Sequence, residues 1–301
     1  MFTDTKGIRR VKLGLHTHTT RSDGKKTPEE VAALYARAGY DAVALTDHWK
    51  YGEEQELCGL HILSGCEYNV GGGDSRDAVY HIVGVGMSRD PGLTTALRDD
   101  PSMSSAEKAK IIIDAIHAVG GLAVLAHPAW SLNTPEQCMA AGDYDATEIF
   151  NSVSEHGMSD RPYSGLIVDM LASQYGFDKP LLATDDAHFY VGDECRGMIM
   201  LEAEAAEQMG IVEAIRAGRF YATQAPEVHL WREEDGTVRL SCSPVSKIIF
   251  QSNVVWVRGR AVRGENLTEA SYTPHPQDCF VRAEVTDAEG NCAWSNIIRL
   301  D

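Results

Sequence analysis

The first 67 residues contain several apolar segments that each end on histidine or carboxylate side chains. These endings are His16-Thr17-His18, Ser22-Asp23-Gly24, Thr46-Asp47-His48 and Gly65-Cys66-Glu67. Side chains alternate between the two faces of a strand, so two histidines spaced by one residue project to the same side. Neutral imidazole and carboxylate groups are the ligands that hold catalytic zinc, manganese or iron. The pattern therefore predicts strands whose ends meet at a metal site.

Strand-like and helix-like segments alternate between residues 11 and 200. The predicted strands are 11–18, 41–48, 61–68, 79–87, 121–128, 146–152 and 180–186. Cap signals open three of the helices, at Thr27-Pro28, Ser104-Ser105 and Thr134-Pro135, each with Glu or Gln at the third helical position. Alternation of strands and helices predicts a parallel sheet, and seven repeats favour a closed or nearly closed α/β barrel.

The composition changes after about residue 225, where short alternating segments replace the helices. The predicted strands there are 228–232, 237–242, 247–252, 254–259, 279–287 and 296–300. They predict a small all-β, sandwich-like domain. We therefore divide the chain into a barrel domain at 1–223 and a β domain at 224–301, with 218–223 as the connector. The second domain is expected to be structural or to shape the substrate pocket.

Net charge and cysteine content exclude some classes of protein. The net charge of −17 argues against binding of long nucleic acid, which needs clustered lysines and arginines, but allows a small anionic substrate. The sequence has no 18-residue apolar run and no apolar signal core at its start, so we expect no membrane partner and a cytoplasmic location. The seven cysteines are dispersed, which predicts reduced thiols. Walker, serine-elbow and Rossmann motifs do not occur.

Nine side chains are candidate metal ligands. They are His16, His18, Asp23, His48, Glu67, His81, His127, Asp186 and His188. All but His81 lie at, or just past, the carboxyl end of a predicted strand, where the active sites of α/β barrels form. His81 lies near the start of its predicted strand, which we interpret as a misplaced strand boundary.

Several of these assignments have alternatives. Glu67 follows an apolar strand and would be costly to bury without a cation, which favours a bridging ligand. Asp23 lies in a Ser-Asp-Gly sequence and could form only a turn. Asp185 could replace Asp186 as the ligand, and only the position of the next histidine favours the latter. Asp47 is predicted to orient a ligand imidazole rather than to bind metal.

Other side chains are candidates for substrate contacts. Arg21 and Arg161 are candidates for phosphate binding, with ordinary solvated arginines as the alternative. Asn151 and Trp130 are candidates for the pocket lining, and a packing role fits Trp130 equally well. No metal role is predicted for the remaining histidines, which are His61, His117, His156, His229 and His275.

The order of these motifs resembles that of the polymerase and histidinol phosphatase (PHP) superfamily. The resemblance covers residues 11 to about 223 and rests on His16-Thr17-His18, Ser22-Asp23-Gly24, Asp47-His48, Cys66-Glu67, His81, His127-Pro128 and Asp186-Ala187-His188. It implies a distorted (β/α)7 barrel with two or three divalent metal ions, manganese, iron or zinc. Gly218-Arg219-Phe220-Tyr221 and Ala293-Trp294-Ser295-Asn296 are similar to a subgroup of two-domain phosphoesterases.

The resemblance also implies three overlapping ligand sets. The ligands of the first metal would be His16, His18, Glu67 and Asp186. Those of the second would be Glu67, His81 and His127. Those of the third would be Asp23, His48 and His188.

The predicted function is hydrolysis of a phosphate monoester of a small molecule, with metal-held hydroxide attacking phosphorus. Glu67, Asp186 and His188 are the predicted catalytic residues, and His188 or another group of the metal site would protonate the leaving oxygen. The resemblance favours a nucleotide, either a nucleoside monophosphate or a 3',5'-bisphosphate. The alternatives are a phosphodiesterase or short-oligonucleotide exonuclease, a histidinol-phosphate or sugar-phosphate phosphatase, and a non-catalytic metal-binding module. The sequence does not predict the oligomeric state.

Overall fold

The computed structural model describes residues 1–72, 77–155 and 159–300 of the chain. The helices in these ranges are α1 (Pro28–Arg37), α2 (Thr95–Asp99), α3 (Ser105–Ala118), α4 (Pro135–Ala140), α5 (Gly165–Tyr175), α6 (Ala203–Met209) and α7 (Ile211–Arg216), with a 3-10 turn at Val153–Glu155. The first ten strands are β1 (Phe2–Thr3), β2 (Arg9–Gly14), β3 (Ala42–Ala44), β4 (Gln55–Leu57), β5 (Leu60–Leu63), β6 (Gly65–Val70), β7 (Tyr80–Val85), β8 (Leu122–Leu125), β9 (Ala146–Asn151) and β10 (Leu181–Thr184). The others are β11 (Met198–Glu202), β12 (Phe220–Thr223), β13 (Val228–Arg232), β14 (Val238–Gln251), β15 (Ala261–Tyr272), β16 (Phe280–Thr286), β17 (Cys292–Trp294) and β18 (Ile298–Arg299).

Three of the helices begin at the predicted caps. Thr27, Ser104 and Thr134 each accept a hydrogen bond from the backbone N–H three residues later, whose own side chain bonds back to the cap. These reciprocal bonds satisfy N–H groups that have no partner within the helix. The three predicted capping boxes are therefore confirmed. No helix in the described part of the chain is long and apolar enough to cross a membrane.

The strands of the described ranges form two sheets. The larger has thirteen strands, and its main path runs β13-β14-β16-β17-β12-β11-β2-β3-β5-β4. The smaller has five strands in the order β10-β9-β8-β7-β6. Helix α3 packs mainly on β7 and β8, and its buried isoleucines join the main hydrophobic core between the helices and the sheets. The fold is therefore mixed α/β, as predicted.

The two sheets meet close to the carboxyl ends of β2, β3 and β10. Thr17, after β2, forms a bridge with Ala187, after β10. His48, after β3, forms a bridge with Glu67 in β6. The His18 N–H donates to the Ala187 carbonyl oxygen at 3.0 Å across the first of these junctions. The ends of several strands are thereby gathered around one point.

Strand β7 runs antiparallel to both of its neighbours, β6 and β8. The prediction of a wholly parallel sheet is therefore wrong at this strand. His81 is the second residue of β7. Because the strand is reversed, its start lies beside the end of β8, where the Ala126 N–H donates to the His81 carbonyl oxygen at 3.0 Å. The predicted boundary error at His81 is also wrong, since strand direction accounts for its position.

Other predictions for the first 223 residues also differ from the structure. The predicted strand at 61–68 is two strands, because Ser64 separates β5 in the larger sheet from β6 in the smaller. No strand is predicted at Met198–Glu202, although this buried segment is β11 and lies between β2 and β12. The predicted connector at 218–223 contains β12.

The C-terminal region is all-β, as predicted, but its strands do not form a separate sandwich. β12 pairs with β17, so the larger sheet continues from the N-terminal part of the chain into the C-terminal strands. β14 covers two predicted strands, and β13 pairs with its first half and β16 with its second. β15 pairs along both halves, with register shifts between Ser241 and Lys247. The predicted strand at 254–259 is a loop, and the mostly exposed β15 is missed because it lacks apolar alternation. The domain boundary at residue 223 stays a prediction.

Side chains from both regions pack together beside the smaller sheet. The Arg282 side chain on β16 is fully buried, and it donates to Asp169 on α5 at 2.7 and 2.9 Å and to Glu284 at 2.8 Å. Trp294 stacks on Phe150 of β9, with ring centres 5.3 Å apart. The C-terminal region therefore supports a strand that ends near the predicted site.

Candidate metal centre

Four buried side chains form the floor of the site. They are His16 and His18 after β2, Glu67 in β6 and Asp186 after β10. The Glu67 Oε2 atom lies 3.2 Å from His16 Nε2 and 2.9 Å from His18 Nε2. The Asp186 Oδ1 atom lies 3.2 and 3.1 Å from the same two nitrogens. The predicted first ligand set is thus brought together.

These atoms fit a cation. Glu67 Oε2, Asp186 Oδ1 and His48 Nδ1 are buried, and none of them finds a partner with full hydrogen-bond geometry among the described residues, although imidazole nitrogens or carboxylate oxygens lie close by. Buried polar atoms in proteins are almost always paired, because leaving them unpaired is costly. Ligand atoms that surround one ion at roughly 2.1 Å lie about 3–3.5 Å apart, which agrees with the spacing of the floor. The residues present therefore suit a divalent metal ion.

Glu67 also contributes its second oxygen to a neighbouring group. Glu67 Oε1 lies 2.7 Å from His81 Nδ1, and Glu67 Oε2 lies 3.2 Å from His48 Nδ1. His127 Nε2 lies farther away, 3.6 Å from both Glu67 Oε1 and Asp186 Oδ2. The described residues therefore group His48 with Glu67 and His81, whereas the predicted second set has His127 in that place. Glu67 is shared between the first two groups.

A third group lies at the mouth of the site. It contains His18, Asp23, His48 and His188. Asp23 Oδ1 lies 3.4 Å from His188 Nε2, and Asp23 Oδ2 lies 3.8 Å from His48 Nε2. The Asp23 side chain is 56% exposed, in contrast to the buried floor. The predicted third set is thus brought together, although at longer distances than the first.

The electrostatics of the cluster also suit cations. Burial alone would raise the pKa of Glu67, but the charges of nearby histidines, His48 first, hold it well below its ordinary value. Burial opposes protonation of His18, yet hydrogen bonds and charges from Asp186 and Glu67 raise its pKa to about 9. Burial lowers the pKa of His48 to about 4. The carboxylates therefore create a negative potential that attracts protons or metal ions to the same place.

Glu148 supports the site, although it is not among the predicted site residues. It is buried in β9, and its Oε1 atom lies 2.7 Å from His16 Nδ1. Its Oε2 atom accepts hydrogen bonds from the His127 N–H and from Asn151 Nδ2, both at 2.9 Å. A carboxylate that holds Nδ1–H turns the Nε2 lone pair of the same ring toward a metal. The signal in the sequence is an acid in the middle of an apolar strand.

The two consecutive aspartates after β10 have different roles. Asp186 points into the floor and has a positive φ of 53°, a region that non-glycine residues adopt rarely and that is often found at functional sites. Asp185 accepts hydrogen bonds from the backbone N–H groups of residues 195–197 at 2.7–2.8 Å and from the Tyr35 hydroxyl at 2.6 Å. Its burial raises its pKa to about 6. The structure thus separates the ligand candidate from its neighbour.

Asp47 holds a loop of the site. Its carboxylate accepts hydrogen bonds at 2.8 Å from the N–H and hydroxyl of Thr19 and from the hydroxyl of Ser22. These residues lie between His18 and Asp23 in the chain. The Ser22 hydroxyl oxygen also lies 3.3 Å from His18 Nδ1. Asp47 therefore reaches a ligand imidazole through Ser22, and its role in orienting that imidazole stays a prediction.

A pocket of about 380 Å³ opens above the floor. The described residues that line it are Asp23, Lys25, His48, Glu67, His81, His127, Trp130, Val153, Ser154, Asp186, His188 and Phe189. Trp130 lines the pocket, as predicted, with its ring edge against His127 (5.0 Å between ring centres). Lys25 and Phe189, which were not candidates, line it as well.

The other three predicted substrate residues lie outside this lining. Asn151 is buried beneath it, where Nδ2 donates to Asp186 Oδ2 at 3.2 Å and Oδ1 accepts from Ser154. The Arg21 guanidinium donates to the Tyr51 carbonyl oxygen at 2.8 Å. Arg161 is exposed and is not among the lining residues, although its N–H donates to the carbonyl oxygen of the lining residue Ser154 at 3.2 Å. Asn151 therefore positions a floor residue, and the phosphate role of the two arginines stays a prediction.

Four of the histidines without a predicted metal role lie in the described ranges, and all four are outside the three groups. His117 Nε2 lies 2.9 Å from Asp145 Oδ2, and His229 lies near Asp4 (3.6 Å). His61 and His275 lie elsewhere on the described surface. His156 lies outside the described residues, as does Gly73 of the glycine-rich segment after β6.

A mixed α/β fold with three overlapping groups of imidazole and carboxylate side chains is the arrangement expected of a protein that binds divalent metal ions. The family model described as the PHP domain matches residues 14–187, more than half of the chain. The chain therefore belongs to the PHP domain family, which confirms the resemblance of its motifs. The family assignment supports the predicted class of enzyme, a metal-dependent phosphoesterase.

The solved structures that this chain matches include the following three. A two-domain protein from Bacteroides vulgatus that contains a predicted PHP-like metal-dependent phosphoesterase aligns with 99% of this chain and 98% of its own, at 17% identity and a TM-score of 0.55. An amidohydrolase from Chromobacterium violaceum with bound sulfate and no metal covers 60% of this chain and 89% of its own (21% identity, TM-score 0.41). A protein from Bifidobacterium adolescentis proposed to be a metal-dependent phosphoesterase covers 58% and 87% (16% identity, TM-score 0.42). A search of curated proteins found no match.

Proposed function

We propose that this chain hydrolyses phosphate monoesters of small molecules with the help of two or three divalent metal ions, manganese, iron or zinc. The observation that carries the proposal is Glu67, whose two oxygen atoms face two different groups of ligand nitrogens at the floor of an open pocket. A carboxylate shared in this way would serve as a ligand to two cations. When bound, such ions would lower the pKa of water and neutralise charge on phosphoryl oxygens.

The chain's own residues hold and orient the site. His16, His18, Glu67 and Asp186 would bind one ion, and Glu67 with His81, His48 and His127 would bind the next. Glu148 fixes the ring of His16, and Asn151 fixes the carboxylate of Asp186. Because these supports are buried, the ligands keep their positions when no substrate is bound, which reduces the cost of reorganisation.

We assign His188 to metal binding rather than to protonation of the leaving oxygen. Its Nδ1 atom lies 2.6 Å from the Asp186 carbonyl oxygen. A carbonyl oxygen only accepts hydrogen bonds, so Nδ1 carries the proton and, in the neutral ring, Nε2 carries the lone pair. That Nε2 atom faces Asp23 at 3.4 Å, in the third group. A different group at the pocket mouth would then donate the proton to the leaving oxygen.

Within this class we favour a nucleotide, a nucleoside monophosphate or 3',5'-bisphosphate. Trp130 and Phe189 both line the pocket, and aromatic side chains stack well on flat bases. The volume of about 380 Å³ suits a small organic phosphate. The net charge of −17 again disfavours long nucleic acid as the partner.

The proposal extends to the fold and the location. We regard β2, β3 and β6–β10 as the distorted seven-stranded barrel, with the Thr17–Ala187 and His48–Glu67 bridges as its two junctions. A cytoplasmic location is supported by the seven cysteines, all within the described ranges and all free thiols.

A substrate screen tests this function. The purified protein would be stripped of metal, reloaded with Mn²⁺, Fe²⁺ or Zn²⁺, and offered nucleotides, sugar phosphates, histidinol phosphate and a phosphodiester. We expect inorganic phosphate to be released fastest from nucleotides, and only from the metal-loaded protein. Hydrolysis of the diester alone would support the phosphodiesterase alternative, and release of phosphate by the stripped protein would contradict metal dependence.

A further inference from the structure

We infer that Lys25 selects dianionic phosphate monoesters over phosphodiesters by contacting the phosphoryl group at the pocket mouth. This inference rests on the proposed function. It concerns a residue outside the three ligand groups and assigns it a role in substrate specificity.

The backbone of Lys25 is held between two segments that carry ligand candidates. Its N–H donates to the His188 carbonyl oxygen at 2.8 Å. The preceding Gly24 donates to the Thr19 carbonyl oxygen at 3.0 Å, and a Cβ there would lie 2.5 Å from the His18 carbonyl oxygen. Glycine is therefore required at position 24, because only glycine allows this close approach. The Lys25 side chain starts from a fixed point beside the third group.

Lys25 and Lys26 have different surroundings. Lys25 lines the pocket, whereas the Lys26 ammonium lies 5.8 Å from the centre of the Tyr190 ring and its residue is outside the lining. The Lys26 carbonyl oxygen accepts the Thr20 N–H at 2.8 Å, which fixes this part of the loop as well. The chain thus provides two adjacent lysines of which one faces the site, and the other serves as a matched control.

Lys25 is the one lysine or arginine among the described residues that line the pocket. Arg21 is bound to the Tyr51 carbonyl oxygen, and Arg161 lies outside the lining. The carboxylates of the lining are the ligand candidates Asp23, Glu67 and Asp186, whose charge the metal ions would neutralise. A phosphoryl group that reaches the metals therefore meets Lys25 as the additional cation.

The charge of the substrate decides how much this contact contributes. A monoester phosphate carries close to two negative charges at neutral pH, whereas a phosphodiester carries one. The lysine ammonium is a compact charge with three donors and no acceptor, so it binds the more highly charged group better. An ammonium that binds the ground state and the transition state equally changes KM more than kcat.

The test compares Lys25→Met with Lys25→Arg and Lys26→Met in the Mn²⁺-loaded full chain. The substrates are p-nitrophenyl phosphate and bis(p-nitrophenyl) phosphate, and inorganic phosphate serves as a competitive inhibitor. For Lys25→Met we expect KM for the monoester and Ki for phosphate to rise roughly 10-fold or more, with a much smaller change for the diester. Lys25→Arg should restore most of the loss, and Lys26→Met should behave as the wild type.

Two results would overturn the role of Lys25. One is an unchanged KM and Ki in Lys25→Met, and the other is an equal loss for monoester and diester. A wild-type protein that hydrolyses neither ester and releases no phosphate from a nucleoside monophosphate would instead contradict the proposed function. Calorimetric titration of phosphate into wild type and Lys25→Met would then still decide the role of Lys25, since weaker binding in the variant supports it and equal binding rejects it.

Discussion

Glu67 is fully buried, and each of its oxygen atoms faces an imidazole nitrogen within 3 Å. A glutamine in its place has the same shape but is neutral, and one end of its amide cannot bind a cation. We therefore predict that Glu67→Gln loses bound metal and phosphatase activity together while the far-ultraviolet circular dichroism is unchanged. The matched control is Glu56→Gln, which alters an exposed carboxylate beside His61. A full metal complement in Glu67→Gln, measured by elemental analysis, would exclude the bridging role.

Asp23 tests whether the site holds a third ion. Its carboxylate lies within 4 Å of nitrogens of His18, His48 and His188, which is more than a turn residue requires. We predict that Asp23→Asn binds about one ion fewer per chain and loses turnover much more than substrate affinity. The control is Asp143→Asn, a surface carboxylate paired with Lys179. If Asp23→Asn binds as many metal ions per chain as the wild type and has the same turnover, then Asp23 only forms a turn and the site binds two metals.

At the residue scale, the sequence was sufficient to predict the ligand candidates, but not the residues that position them or that line the pocket beside them. Residue type and strand-end position suffice for His16 or His188, because imidazoles and carboxylates at one edge of a sheet have few other uses. Glu148 and Lys25 differ, since their roles depend on which neighbours the fold supplies. Arg21 shows the converse, because a plausible phosphate ligand is engaged by a backbone carbonyl that no sequence pattern reveals.

At the scale of elements, the direction of β7 accounts for one ligand. β6 ends at Val70 and β7 starts at Tyr80, and parallel strands need a crossover of about a dozen residues or more. The short connection therefore carried the signal for an antiparallel pair, which places His81 at the site. The exposed β15 gave no such signal, because a strand that buries few side chains has little apolar periodicity.

The Arg282 contact joins two elements and gives a prediction for stability. Its guanidinium is fully buried between Asp169 on α5 and Glu284 on β16. Arg282→Met would leave both carboxylates without their cation, and we expect the free energy of unfolding to fall by about 3 kcal/mol in chemical denaturation. Arg239→Met, which removes an exposed ion pair with Glu233, should change it by less than about 1 kcal/mol. If both variants lower the free energy of unfolding equally, then the buried Arg282 contact contributes no more to stability than an exposed ion pair.

At the scale of the whole molecule, the larger sheet runs through both predicted domains. The pairing of β12 with β17 and the stacking of Trp294 on Phe150 connect the C-terminal strands to the part that carries the site. The sequence predicted the change from α/β to all-β, because helix periodicity ends near residue 225. It could not predict the continuous sheet, since pairing between distant strands leaves no local pattern.

A titration of activity against metal tests the central claim of a metal centre with at least two ions. The chain would be stripped with a chelator and reloaded with increasing equivalents of Mn²⁺, while phosphate release from a nucleoside monophosphate is followed. The account predicts no release from the stripped protein and full activity only at two or more equivalents per chain. Full activity at one equivalent, or activity that persists in excess chelator, would contradict it.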